Sequence, residues 1–372
     1  MRPLLKPGLR RLWRDDSTLQ IGTDPDRAVV LGGLDPRVAS LVEALDGTKT
    51  EVAIVAAARG RGLDPGQVRR LMGLLGACGA LDDASTDSAP LAGLSSEERD
   101  RLAPDLAALS LRSRAPDGGL GVLARRRAAV VEVRGAGRVG ATLAVLLGAA
   151  GVGAVHVSDP APTRPGDVST GGLLAEDVGR ARQDAAADAV RRVSPAAPAK
   201  TSSTAALVVL APVGSVTARH ANAMRGRAHL AVAIREGRGV VGPLVLPGVS
   251  SCLHCHDLHR RDRDPLWPRI AAQLATDPAG APPCEAPLAM AVAALGAAQA
   301  LAYLDGEPAP TTLDGTLEVT LPDLQVRRRT WQTHPECACA VDRRSGPSPG
   351  RRGDRPAGRQ GGQPAGRRAG QG

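Results

Sequence analysis

Short apolar runs alternate with amphipathic ones from residue 128 onward. The runs "AAVVEV", "AVHVSD", "ALVVLAP", "HLAVAI" and "VVGPLVLPG" have strand length, and "AEDVGRARQDAAADAVRRV" repeats its apolar positions at helical spacing. Near-continuous apolar strands alternating with helices predict a mainly parallel sheet covered on both faces, an α/β architecture. An Ala-rich helix over 286–304 then leads to two more strands, "TTLDGTLEVT" and "DLQVRRRTWQ". The opening of the chain reads differently. Two strands, "TLQIGT" and "RAVVL", precede three helices (Pro36–Leu45, Lys49–Arg59 and Asp64–Cys78), and "GALDD" closes the unit. Strands with three helices in residues 1–83 predict a small winged-helix α+β domain, with Cys78 in its core. Residues 84–125 read as a polar linker carrying one helix, "SSEERDRLAPDLAALSL", with Ser95 as N-cap and Glu98 completing a capping box. The α/β domain is expected to occupy 126–341. Residues 342–372 hold too few apolar side chains to offset ordering entropy and are expected to be a disordered Gly/Pro/Arg tail.

Composition changes this picture in two places. The chain has 372 residues with no Phe, one Tyr and three Trp, so its core must be built from Leu, Val and Ala. The net charge of +9 suggests nucleic acid until it is located: residues 343–372 hold eight Arg and one Asp, which accounts for +7. The folded part is nearly neutral and has no basic stripe, so a specific nucleic-acid partner is not expected. The stretches Val139–Val157 and Ala286–Leu304 have membrane-spanning length but are rich in Ala and Gly, and the first is broken by Gly148, Gly151 and Gly153. They are read as buried elements rather than spans. "MRPLLKPGLRRLW" lacks the apolar run of a signal peptide, which suggests a cytoplasmic chain with reduced thiols.

Candidate chemistry falls in two clusters. Gly135, Gly137 and Gly140 have GxGxxG spacing, directly after a strand and opening a helix, where free amides attract an anion. Asp159 ends the next strand, twenty-four residues after Gly135, where a carboxylate would meet ribose hydroxyls. A nicotinamide-dependent oxidoreductase would use such a loop but would leave the cysteines unexplained. Cys252 and Cys255 form CxxC, and Cys337 and Cys339 form CxC after 81 intervening residues. Four thiolates in two pairs predict a closed, structural zinc site that clips distant segments, with His256, His259 or His334 able to replace one sulfur. "CLHCH" also matches the c-type haem signature, an assignment that needs an exported protein. The mixed charges of "DLHRRDRDPLWP" suggest a solvated, salt-bridged surface, while Trp267 between two prolines suggests an anchored loop, part of a crossover segment, at a partner or domain interface.

Taken in order, "RGAGRVGATLAVLLGAAGVGAVHVSD", "EDVGRARQDAAADAVRRVSP", "GPLVLPGVSSCLHC", "PPCEAPLAMAVAALGAAQALAYLDG" and "HPECAC" resemble the ThiF/MoeB and ubiquitin-activating enzyme superfamily. The resemblance implies a Rossmann-like sheet, ATP and magnesium, and structural zinc on the cysteine pairs. "LKPGLRRLWRDDSTLQIGTD" and "VVLGGLDPRVASLVEALDGTKT" look like a PqqD-type peptide-recognition domain. Together they resemble the leader-binding partner of YcaO-type cyclodehydratases, which implies a precursor or leader peptide, a modifying enzyme and a homodimer. Active members of the superfamily adenylate a peptide C-terminus. They carry an Asn and an Arg–Gln pair after the ribose-binding acid, a Lys in the next helix, and a magnesium-binding Asp after the fourth strand. Here the first stretch is "DPAPTRPGDVSTGGLLAEDVG", Arg182 or Arg180 stands for the Lys, and Ala211-Pro212 stands for the Asp. Loss of these groups removes most of the electrostatic stabilisation such transfer needs and suggests a degenerate, non-adenylating member; an active adenylyltransferase is the alternative. Cys284 in "PPCEAPL" matches a family cysteine proposed to accept sulfur or acyl groups, and a helix N-terminus should lower its pKa.

Overall fold

The computed structural model describes residues 1–195, 204–274, 282–306 and 310–339. The expected basic tail, 342–372, lies outside them.

The opening unit contains β1 (Pro3–Leu5), β2 (Arg11–Asp15), β3 (Thr18–Ile21), β4 (Val29–Leu31), α1 (Pro36–Glu43), α2 (Glu51–Gly60), α3 (Pro65–Ala77) and β5 (Leu81–Asp83). β2, β3 and β4 form an antiparallel sheet, and β1 pairs with β5. Its helices start where side chains satisfy free amides: the Asp35 carboxylate accepts from Arg37, the Thr50 hydroxyl from Ala53, and Asp64 from Gly66 and Gln67. Leu19, Ile21, Val42, Leu45, Ile54, Leu75 and Leu81 form the core. Cys78 is not in it. It caps the end of α3 and is exposed, because the chain turns away at Gly79, whose φ is +70°. β1, β2 and β5 are too short or too polar to show as periodic runs.

α4 (Ser96–Arg112) has the expected capping box between Ser95 and Glu98. Its last turn meets a buried lysine. Lys6 donates to the carbonyls of Ser110 and Ser113 and lies 3.7 Å from Asp82. The orphan carbonyls of a helix C-terminus and one carboxylate thus hold the ammonium in place of water. α5 (Leu120–Ala128) follows and delivers Arg126 to the main domain.

That domain comprises β6 (Val130–Arg134), α6 (Arg138–Ala149), β7 (Ala154–Ser158), α7 (Arg182–Val193), β8 (Leu207–Leu210), α8 (Ala218–Ala223), β9 (His229–Arg235), β10 (Arg238–Val245), α9 (Leu253–Arg263), α10 (Trp267–Gln273), α11 (Ala286–Asp305), β11 (Gly315–Thr320) and β12 (Gln325–Thr330). The sheet order is β12-β11-β10-β9-β8-β6-β7. β7, β6, β8 and β9 run parallel, while β10, β11 and β12 are added antiparallel. The sheet is therefore mixed rather than mainly parallel: short turns join β9 to β10 and β11 to β12, where a parallel arrangement would need crossovers, and β11 returns antiparallel to β10 only after α9, α10 and α11. Val131, Val133, Leu207, Val209, Leu230, Val232 and Val241 meet Leu143 and Leu147 of α6 and Leu288, Val292 and Ala293 of α11 in the main core. Among the described residues α11 is the one helix long and apolar enough to cross a membrane, and its core-facing residues pack on the sheet.

Two predicted elements differ. The helix expected from residue 175 begins at Arg182; Ala175–Asp177 is a separate 3₁₀ turn, divided from it by Gly179 at φ +92°. The "DLHRRDRDPLWP" stretch is helical, not a loop: most of it belongs to α9 and its end starts α10. Its alternating charges pair within the helix, Arg260 with Asp257, and across to Glu336 through Arg261.

Candidate functional site

The glycine loop sits where β6 ends, between β7 and β8, at the carboxyl ends of parallel strands that receive ligands in open α/β sheets. Each of its glycines is required by a close approach. A Cβ on Gly135, at φ +102°, would overlap the carbonyl of Ala211 after β8, and one on Gly140 would overlap the carbonyl of Gly135. A Cβ on Gly137 would come within 2.6 Å of Val213. A Gly140→Ala variant is accordingly expected to lose about 2–4 kcal/mol of stability, measured by urea unfolding; unchanged stability would contradict this packing.

Asp159 stands at the end of β7 beside this loop. Its carboxylate accepts from the Ala136 amide at 2.9 Å and from Arg182 Nη1 at 3.1 Å. Arg182 also reaches Asp167 through Nε at 3.1 Å, and Asp167 accepts from the Arg164 amide at 2.9 Å. Arg182, Asp159 and Asp167 form a triad that is nearly closed to solvent. Arg182, not Arg180, is the cation brought to Asp159; Arg180 pairs with Asp177 and Asp188. Asp167 was not singled out from sequence, because "PTRPGDVS" shows no periodicity and its role depends on the loop folding back.

Cys284 lies just before α11. Its carbonyl accepts from Arg138 Nη1 at 2.8 Å, while Arg138 Nε donates to Gly166 at 2.7 Å, so the first residue of α6 ties three segments together. The expected lowering of the Cys284 pKa is not seen. Burial pushes the thiol up, and Arg138 opposes this only in part. Glu285, not the cysteine, occupies the cap of the helix, which accounts for the weak dipole effect.

The cysteine pairs converge. Cys252 Sγ is 3.7 Å from Cys255 Sγ and 3.6 Å from Cys337 Sγ, and Cys255 Sγ is 3.3 Å from Cys339 Sγ. All four sulfurs lie within 4.8 Å of one another. A tetrahedral ion with bonds of about 2.3 Å needs sulfurs about 3.8 Å apart, so the set fits one metal with no open position. β10 delivers the first pair to the start of α9, and the turn after β12 delivers the second. No histidine is needed as a fourth ligand. His256 stacks on Trp331 at 4.3 Å, and His259 and His334 gather with Asp262 in a separate group, where His334 Nε2 contacts Asp262 at 2.7 Å.

No family model and no curated protein matches the sequence. Solved structures do match its fold. E. coli MccB with succinimide superposes with a TM-score of 0.65 over 92% of this chain and 99% of that one, at 15% identity. The fold is that of MccB. E. coli MccB with ATP gives 0.65 over 91% and 99% at 14% identity, and PaaA gives 0.63 over 88% and 99% at 18% identity. MccB, described as a microcin C7 biosynthetic enzyme, also matches in complex with N-formylated MccA, with a TM-score of 0.63. The shared fold spans nearly the whole length of MccB, so it includes the opening unit as well as the seven-stranded sheet.

Proposed function

We propose that this chain is a ThiF-like protein that binds a precursor or leader peptide and presents it to a partner modifying enzyme, such as a YcaO-type cyclodehydratase, without itself adenylating the peptide. The carrying observation is the Arg182–Asp159–Asp167 triad. The carboxylate expected to receive ribose already holds a guanidinium, and β8 is followed by Ala211-Pro212-Val213, with no carboxylate for magnesium. Peptide binding is supported by the complexes of MccB with MccA and by the opening unit. Among the described residues β2 and β4 are the edges of that unit's three-stranded sheet, and Trp13 on β2 is half exposed, a surface suited to adding a peptide strand. Zinc is the ion that the four-thiolate set suits best, as a structural element. The protein would act in the cytoplasm as a homodimer, on a peptide rather than on nucleic acid.

The second reading, an active adenylyltransferase, is favoured by the intact glycine loop, which keeps free amides at the start of α6. In that reading Arg182 would release Asp159 on nucleotide binding, Gly135, Gly137 and Gly140 would line the phosphates, and Cys284 would be the candidate acyl or sulfur acceptor. ATP–pyrophosphate exchange separates the two. With the metal-loaded full chain and a cognate peptide, exchange at the level of the protein-free blank is expected; exchange well above it would establish the second reading.

A further inference from the structure

A small cavity of about 40 Å³ lies between α9 and the β9–β10 hairpin, on the face of the sheet turned away from α11. Leu230, Val232 and Ile234 point into the main core. By strand alternation Ala231, Ala233 and Arg235 face the cavity, and the two small side chains leave the space open. His256 and Arg260 come down from α9. His256 is only 2% exposed and is held face to face with Trp331, yet its Nε2 has no hydrogen-bond partner. The buried Nε of Arg235 is also without a partner, and among the described residues Arg235 makes no ion pair. Arg260 shares Asp257 with the Trp267 indole, each donating at 3.1 Å. Asp257 is the one carboxylate among the cavity's lining residues, against two guanidinium groups. Burial first, and then Arg235 across the cavity, hold the Arg260 pKa down.

Buried polar groups without partners and an excess of one charge are costly unless something completes them. We propose that this cavity is a carboxylate-binding pocket, in which Arg235 and Arg260 hold the two oxygens and His256 Nε2 makes a further hydrogen bond. The volume suits one carboxylate group and excludes a nucleotide or an aromatic ring. Two coplanar oxygens match the guanidinium fork, which gives charge-assisted bonds. The pocket is independent of the glycine loop, so it stands whether or not the chain adenylates.

The test uses the metal-loaded full chain. Sodium acetate is titrated against sodium chloride at constant ionic strength, with binding followed by calorimetry and His256 by ¹⁵N NMR. Saturable acetate binding that shifts the His256 Nε2 resonance is expected. Arg235→Gln and Arg260→Gln should each weaken binding by about tenfold or more at unchanged metal content. A tetrapeptide with a free C-terminus, compared with its amide, identifies the source. Tighter binding of the free form than of acetate assigns the pocket to a peptide terminus, and acetate binding alone assigns it to a small free acid. If acetate behaves as chloride does, the cavity holds water only and the proposal falls; it also falls if both variants bind acetate like the parent.

Discussion

Cys255→Ser should release the metal from the full chain and lower its stability by about 4 kcal/mol or more. Serine is a poor ligand for a soft site, and three remaining thiolates leave the ion open to exchange. The cross-link lost is long, since it joins positions 85 residues apart between Cys252 and Cys337. Releasing a loop of that size restores about 4–5 kcal/mol of unfolded-state entropy in the loop-closure picture. The buried sulfurs of Cys255 and Cys337 also lie against Leu258, so the vacated site leaves polarisable atoms in an apolar cluster. Metal analysis together with urea unfolding of the Cys255→Ser and Cys337→Ser variants checks this. Full metal content and parental stability in both would refute the four-thiolate arrangement.

The second large effect is expected at the junction of α5 and α11. Arg126 Nε and Nη2 each meet a carboxylate oxygen of Asp305 at 2.7 Å, and Arg126 Nη1 donates to the Ala150 carbonyl at 3.2 Å. Both side chains are almost fully buried. Among the described residues, Arg126→Met leaves Asp305 with Arg112 as its one cation, and that side chain is half exposed, so a loss of about 3–5 kcal/mol is expected. Adding Asp305→Leu removes the stranded charge, and the double variant should recover most of that loss. Urea unfolding of the two single variants and the double variant measures the coupling; additive losses would show that the pair does not act as a unit.

Much of this architecture was legible in the sequence because strong periodicity and covalent chemistry leave marks there. The β6–α6–β7 unit, the capping box at Ser95 and the four cysteines all carry a local pattern that tertiary packing did not need to override. What escaped depends on partners distant in the chain. Asp167 becomes important only when "PTRPGDVS" folds back onto Arg182. The antiparallel addition of β10 and of β12 follows from the short turns after β9 and β11, and that of β11 from the return of a long helical segment to the far edge of the sheet, not from the strands' apolar content. Cys78 looked like a core residue by its neighbours, but the turn at Gly79 moves it to the surface. The α9 helix was obscured by its own charges, which pair across one turn and show no apolar stripe until Leu258 meets the cysteine cluster.

The separation of the two thiol pairs also sets an order of events. Cys252 and Cys255 emerge before α10, α11, β11 and β12, whereas Cys337 and Cys339 follow all of them. The complete site exists only after β12 has paired with β11 and the turn beyond it has returned to the start of α9. Bringing ends so far apart together is costly until the intervening contacts are made. An ion held by all four thiolates would therefore be captured late, as a seal on a finished sheet rather than as a nucleus for it. A chain arrested before its final strand offers metal only half of its ligands.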